Sequence, residues 1–147
     1  MKTITDHVVA GDAAPQLTIT VLDEPGAGGA NHEYRISSTY KKSEKMPIPM
    51  RSRMDDQTII IDADGSTTLT LERILFQNGP IPEVGVNGIT QEALLAIVID
   101  RLRCFQAGPY PHSLNEQALD CAVGALRCLQ ARTKERIQRG VEGENKS

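Results

Sequence analysis

The first half of the chain alternates apolar and hydroxyl-bearing residues. Leu17-Thr18-Ile19-Thr20-Val21-Leu22 changes character at every step. A strand with one buried face must do this, because successive side chains leave opposite faces of the pleat. Asp23 to Asn31 is glycine-rich and predicts a turn, with His32-Glu33-Tyr34-Arg35-Ile36-Ser37 as the returning strand. Thr58-Ile59-Ile60-Ile61-Asp62 and Thr67 to Phe76 flank Ala63-Asp64-Gly65-Ser66, and Asp-Gly between two β-rich runs is a hairpin signal. The segment from Lys41 to Asp56 is polar and carries Pro47 and Pro49. Prolines cannot donate to a ladder, so this segment reads as an exposed loop. Four strands in meander order are expected before the Gly79-Pro80 break.

After Gly88 the period lengthens. Leu94, Ile97, Val98, Leu102 and Phe105 recur at three- and four-residue steps, predicting an amphipathic helix from Gln91 to Gln106. Thr90 is the expected N-cap and Gly108-Pro109 the stop. A second helix opens on the capping box Ser113-Leu114-Asn115-Glu116. It continues through Leu119, Ala122, Val123, Leu126 and Leu129 to about Arg139 and ends at Gly140. The short connection makes the two helices antiparallel neighbours. Apolar surface left over must meet the sheet or another subunit. The expected class is α+β: an antiparallel β-meander region over 1–80, then an antiparallel helical hairpin over 81–147.

Composition narrows this picture. With no Trp and five aromatics (Tyr34, Tyr40, Phe76, Phe105 and Tyr110) among 147 residues, the core rests on aliphatic side chains, which leans toward self-association. A net charge of −3 argues against binding polymeric nucleic acid, which needs a dominant basic surface. Cys104, Cys121 and Cys128 form no C-x-x-C pair, so buried reduced thiols are expected rather than a zinc site or a disulfide framework. No apolar run reaches membrane-spanning length and the N-terminus lacks a signal-peptide core, so a soluble cytoplasmic chain is expected.

The candidate chemistry sits in two places. The stretch from Phe76 to Leu95 carries glycines and prolines and runs into the first helix, and free backbone N–H groups at such a junction suit an anion or phosphate. Phe76 is either a core plug or a platform for a base. Gln77 follows it, and Asn87-Gly88 is turn chemistry first, with an amide reading a base or ribose edge as the alternative. Near the end of the second helix, Arg132, Arg136 and Arg139 have i, i+4, i+7 spacing, with Thr133 and Lys134 between them. Cations there complement the helix dipole, and arginine forks equally suit phosphate oxygens. Arg101 and Arg103 end the first helix two residues apart, so only one could enter a pocket. His7, His32 and His112 are scattered, no nucleophile elbow, Walker or Rossmann pattern occurs, and no acid/base pair concentrates. An enzyme is not expected, nor is a cofactor or a metal.

The run Asn87-Gly88-Ile89-Thr90-Gln91-Glu92-Ala93-Leu94-Leu95-Ala96-Ile97-Val98-Ile99-Asp100-Arg101-Leu102, then Phe105-Gln106, resembles the helical hairpin shared by two phage anti-defence groups, the Thoeris anti-defence and anti-CBASS sponges. Arg132-Thr133-Lys134-Glu135-Arg136 and Arg139-Gly140-Val141-Glu142-Gly143 resemble the end of the same domain. The β-region with its Phe76-Gln77-x-Gly79-Pro80 lead-in is similar to the Thoeris type. This resemblance implies a protein of the host-cell cytoplasm that sequesters cyclic ADP-ribose isomers made by TIR-domain enzymes. It also implies separate sites for cyclic oligonucleotides made by cGAS-like enzymes, and assembly as dimers and hexamers. The ADP-ribose-type site would involve the Phe76 lead-in, Asn87 and an arginine of the first helix, with two chains contributing. The cyclic-oligonucleotide site would use the arginine-bearing end of the second helix.

Overall fold

The strand-forming half of the chain folds as one antiparallel sheet in a computed structural model, which describes residues 1–11, 17–41 and 59–140. The expected loop from Lys41 to Asp56 lies, apart from Lys41, outside the described residues. The strands are β1 (Lys2–Ile4), β2 (Leu17–Val21), β3 (Glu33–Tyr40), β4 (Ile59–Ile61) and β5 (Thr67–Leu75). Two compact units divide at Leu75/Phe76.

The expected antiparallel sheet is present, with two differences. A fifth strand, β1, adds to the edge beside β2; three residues are too few for a readable alternation. The order is β1-β2-β3-β5-β4 rather than a simple meander. The nine-residue β5 takes the inner place, pairing with β3 along the whole of that strand from Glu33↔Leu75 to Tyr40↔Thr67. The three-residue β4, exposed at all its positions, is left at the edge. A long strand with apolar positions recovers more from two neighbours than a short one does, and Leu69 within β5 is 0 % exposed. Val21, Tyr40 and Ser38 are buried with it in this unit.

Turns anchor the register. The β4–β5 hairpin closes as expected: Asp62 N–H donates to Ser66 O (2.9 Å) and Gly65, at φ 80°, donates to Asp62 O (2.9 Å). Ser66 N–H donates to Asp64 Oδ1 (2.9 Å), and this bond holds the Asp64 carboxyl below its ordinary range. Between β2 and β3, Asp23 receives His32 N–H on Oδ2 (2.7 Å) and Glu33 N–H on Oδ1 (3.1 Å). The His32 N–H is the main cause of the lowered Asp23 pKa.

The helical unit has a one-turn helix α1 (Ile81–Val84), then α2 (Gln91–Ala107) and α3 (Ser113–Gln138). Thr90 caps α2, its hydroxyl accepting from Ala93 N–H (3.2 Å), and Gly140, at φ 67°, follows α3, both as expected. The cap of α3 differs: His112, not Ser113, is the N-cap, with Nδ1 accepting from Leu114 N–H (3.1 Å). Gln106 Oε1 accepts from His112 N–H (2.8 Å) and so sets the inter-helix turn. An imidazole nitrogen replaces the hydroxyl because the turn arrives one residue earlier than the serine.

The two helices pack on each other as the expected hairpin. On α3 the half-buried stripe runs through Leu119, Ala122, Val123, Leu126 and Leu129, as expected, and continues into Thr133 and Arg136. On α2 it runs through Leu95, Ile99 and Leu102, with Ile99 3 % exposed. Ile97, Val98 and Phe105 of the expected α2 stripe are instead exposed, Ile97 at 65 %. Cys104, Cys121 and Cys128 are also exposed. This corrects the expectation of buried thiols: all three lie off the packed stripes.

Candidate functional site

The lead-in to α2 is a closed knot of main-chain and amide bonds. Phe76 forms a parallel bridge with Ile89, and Gln77 N–H donates to Ile89 O (2.9 Å). Gly88 makes this approach possible. A Cβ there would lie 2.6 Å from Gln77 N and closer still to the Phe76 carbonyl, so the residue is glycine for want of space. Gly79 (φ 88°) and Gly85 (φ 73°) turn the chain on either side of α1.

Gln77 and Asn87 hold this loop together. Gln77 Oε1 accepts from Asn87 N–H (3.0 Å), and its Nε2 donates to Gly85 O (2.9 Å) and Gly79 O (3.2 Å). Asn87 Oδ1 accepts from Asn78 N–H (2.8 Å) while Nδ2 donates to Asn78 O (2.8 Å). Both amides therefore brace the loop. Asn87 has no left-handed conformation, so its side-chain bonds, not a tolerance of unusual φ, explain the residue. Phe76 is half-buried at the base of the knot.

The antiparallel hairpin brings the start of α2 beside the end of α3. An open groove of about 470 Å³ lies there, lined by Thr90, Glu92, Gln130, Thr133 and Lys134. Thr133 is the expected site residue that lines it; Thr90, Glu92, Gln130 and Lys134 were not foreseen as a group, since only the helix register unites them. Arg132 and Lys134 stand two residues apart, about 200° around the helix, so the arginine row occupies a different flank of α3. On that flank Arg132 and Arg139 are exposed and Arg136 is half-buried.

The remaining expected residues are elsewhere. Arg101 lies about 15 Å along α2 from its first residue, with its guanidinium carbon 4.9 Å from the Phe105 ring centre, a cation–π contact. Arg103 is exposed, about 200° around the helix from Arg101. The histidines serve three separate places: His7 Nε2 meets Leu17 O (2.8 Å), His32 sits 3.9 Å from Asp23, and His112 caps α3. Among the described residues no group of three or more His, Cys, Asp or Glu could hold a metal ion. None of their helices is long and apolar enough to cross a membrane.

Comparison with known proteins agrees with this architecture. Residues 69–134 match the family described as Acb2/Tad1, hairpin domain. The chain is also 38% identical over 104 residues to Thoeris anti-defense 1 of Bacillus phage SBSphiJ7, an alignment covering 65% of this chain and 73% of that protein. With a match that runs from within the last strand through α2 and into the last turns of α3, and a relative shared over most of its length, the chain belongs to the Acb2/Tad1 hairpin family of phage anti-defence proteins, in its Thoeris type.

Proposed function

We propose that the chain is a stoichiometric sponge that sequesters cyclic nucleotide immune signals of the cyclic ADP-ribose type in the cytoplasm of the phage's host, without cleaving them. The observation that carries this reading is the groove at the shared end of α2 and α3, beside a loop held rigid by Gln77 and Asn87. Its volume suits a small nucleotide ligand. Lys134, the hydroxyls of Thr90 and Thr133 and the dipole at the start of α2 all favour phosphate oxygens. Silencing a signal needs occupancy rather than turnover, and nanomolar affinity corresponds to about −12 kcal/mol.

In this reading Phe76 offers a stacking surface, and Gln77 and Asn87 act by positioning the loop. Arg101 and Arg103 sit too far along α2 to reach their own groove, so the arginine of the site comes from a second copy. Arg101 borders the exposed Ile97, Val98 and Phe105 face, which is the surface a second copy would cover in a dimer or hexamer. The row Arg132, Arg136 and Arg139, next to Thr133 and with Arg136 half-buried, is assigned to cyclic oligonucleotides as a second ligand class.

The test is direct. Purified protein is incubated with cyclic ADP-ribose isomers and a cyclic trinucleotide, removed by filtration, and heated to release what it holds. Depletion of a signal from the filtrate, with intact ligand recovered by chromatography after heating, is the expected result. Depletion with only breakdown products recovered would mean an enzyme. No depletion of any ligand would overturn the sponge.

A further inference from the structure

The sheet unit carries a guanidinium that the sponge chemistry does not use. Thr20, Arg35 and Arg73 stand in register across β2, β3 and β5, so their side chains leave one face of the sheet. Two residues along on β2 and β3, and three along on β5 where the register shifts, Thr18, Ser37 and Thr70 form a second row. Thr20 is 7 % and Ser37 4 % exposed, so much of this hydroxyl-rich pad is sheltered from water. Like charges directly opposite each other repel, and only one of these two is answered: Arg73 pairs with Glu33. Arg35 has no ion pair among the described residues, and its Nε is buried without a hydrogen-bond partner. The residue is half-buried, and a guanidinium left in that state costs free energy that an acceptor would recover. A register shift between Ile36 and Ser37 adjoins it, and bulges of this kind re-aim side chains beside binding sites.

We propose that Arg35 and the hydroxyls around it form a binding site for a phosphate-type oxyanion on the sheet unit. The guanidinium fork donates to two oxygens, and the threonine and serine hydroxyls donate to the others. Arg73 adds positive charge. The hydroxyl rows favour a tetrahedral oxyanion over a carboxylate, which has only two oxygens to satisfy. The site shares no residue with the groove of the helical unit, so it stands or falls apart from the sponge reading.

The experiment titrates the full chain with inorganic phosphate, pyrophosphate and ADP against sodium chloride at matched ionic strength, reading melting temperature and bound ligand. The wild-type chain is expected to gain melting temperature with at least one of them. A response to phosphate or pyrophosphate identifies a free oxyanion site, and a response to ADP alone identifies the phosphate of a nucleotide. Arg35→Gln is expected to weaken that ligand by about tenfold or more, the loss of a charge-assisted pair, while Arg127→Gln, at an exposed position of α3 outside both proposed ligand sites, leaves it unchanged. Thr20→Val keeps shape and charge and is expected to weaken it severalfold, which covers the case of an Arg35 variant that folds poorly. Wild-type affinity in both Arg35→Gln and Thr20→Val, or no response of the wild-type chain beyond chloride, would overturn the proposal.

Discussion

The two units bury their side chains differently. The sheet unit holds Val21, Tyr40, Leu69, Thr20, Ser37 and Ser38 below a tenth of full exposure, whereas in the helical unit Pro80 and Ile99 are buried to that degree among the described residues. On α2 the exposed apolar residues Ile97, Val98 and Phe105 form a face that the hairpin does not use. The sheet draws its order from long cross-strand rows. The helical unit draws its order from polar bonds at the loop and caps, and it leaves apolar surface open. A rigid loop on a sparsely buried hairpin is suited to gaining stability from what it binds, because a ligand or second copy that binds only the folded state adds its own free energy to that state.

Removing the best-buried side chain of the sheet should have the largest effect. Leu69→Ala is expected to cost about 2–5 kcal/mol, read as faster hydrogen exchange at the β3 and β5 amides. If protection there were unchanged, the sheet would not depend on its central row.

Gly88→Ala attacks the other unit at its tightest point. The added methyl meets the Phe76–Gln77 peptide, and the overpacking should cost about 1–3 kcal/mol. Exchange at the Gln77 amide should accelerate while the sheet amides keep their protection. An equal loss in both units would show that they unfold together.

The smallest effect is expected on the open face. Ile97→Ser should change the stability of the dilute chain by less than about 0.5 kcal/mol, yet abolish any rise of melting temperature with protein concentration. A large loss at high dilution would mean that Ile97 is covered within a single chain.

Local features were legible because their causes are local. The Asp64-Gly65 hairpin, the Thr90 cap, both long helices and the stop at Gly140 each depend on residues within a few positions of one another. The loop before α2 and the end of α3 also stood out as candidate chemistry from composition and spacing alone.

Tertiary structure decided the choices among distant partners. Whether β4 or β5 lies beside β3 depends on which strand buries more, and alternation within one strand does not record its neighbour. Gln77 and Asn87 are ten residues apart, and their mutual bond exists only because the loop closes. The groove residues Thr90, Glu92, Gln130, Thr133 and Lys134 meet because two antiparallel helices settle in one register. Arg35 reads as an ordinary polar position of a strand, and only its pairing opposite Arg73 leaves it, among the described residues, without an ion pair. By itself the sequence determined the elements and their ends, through bonds that span a few residues. Packing decided their order, the faces they cover and the groups left without partners, because those depend on surfaces brought together from distant parts of the chain.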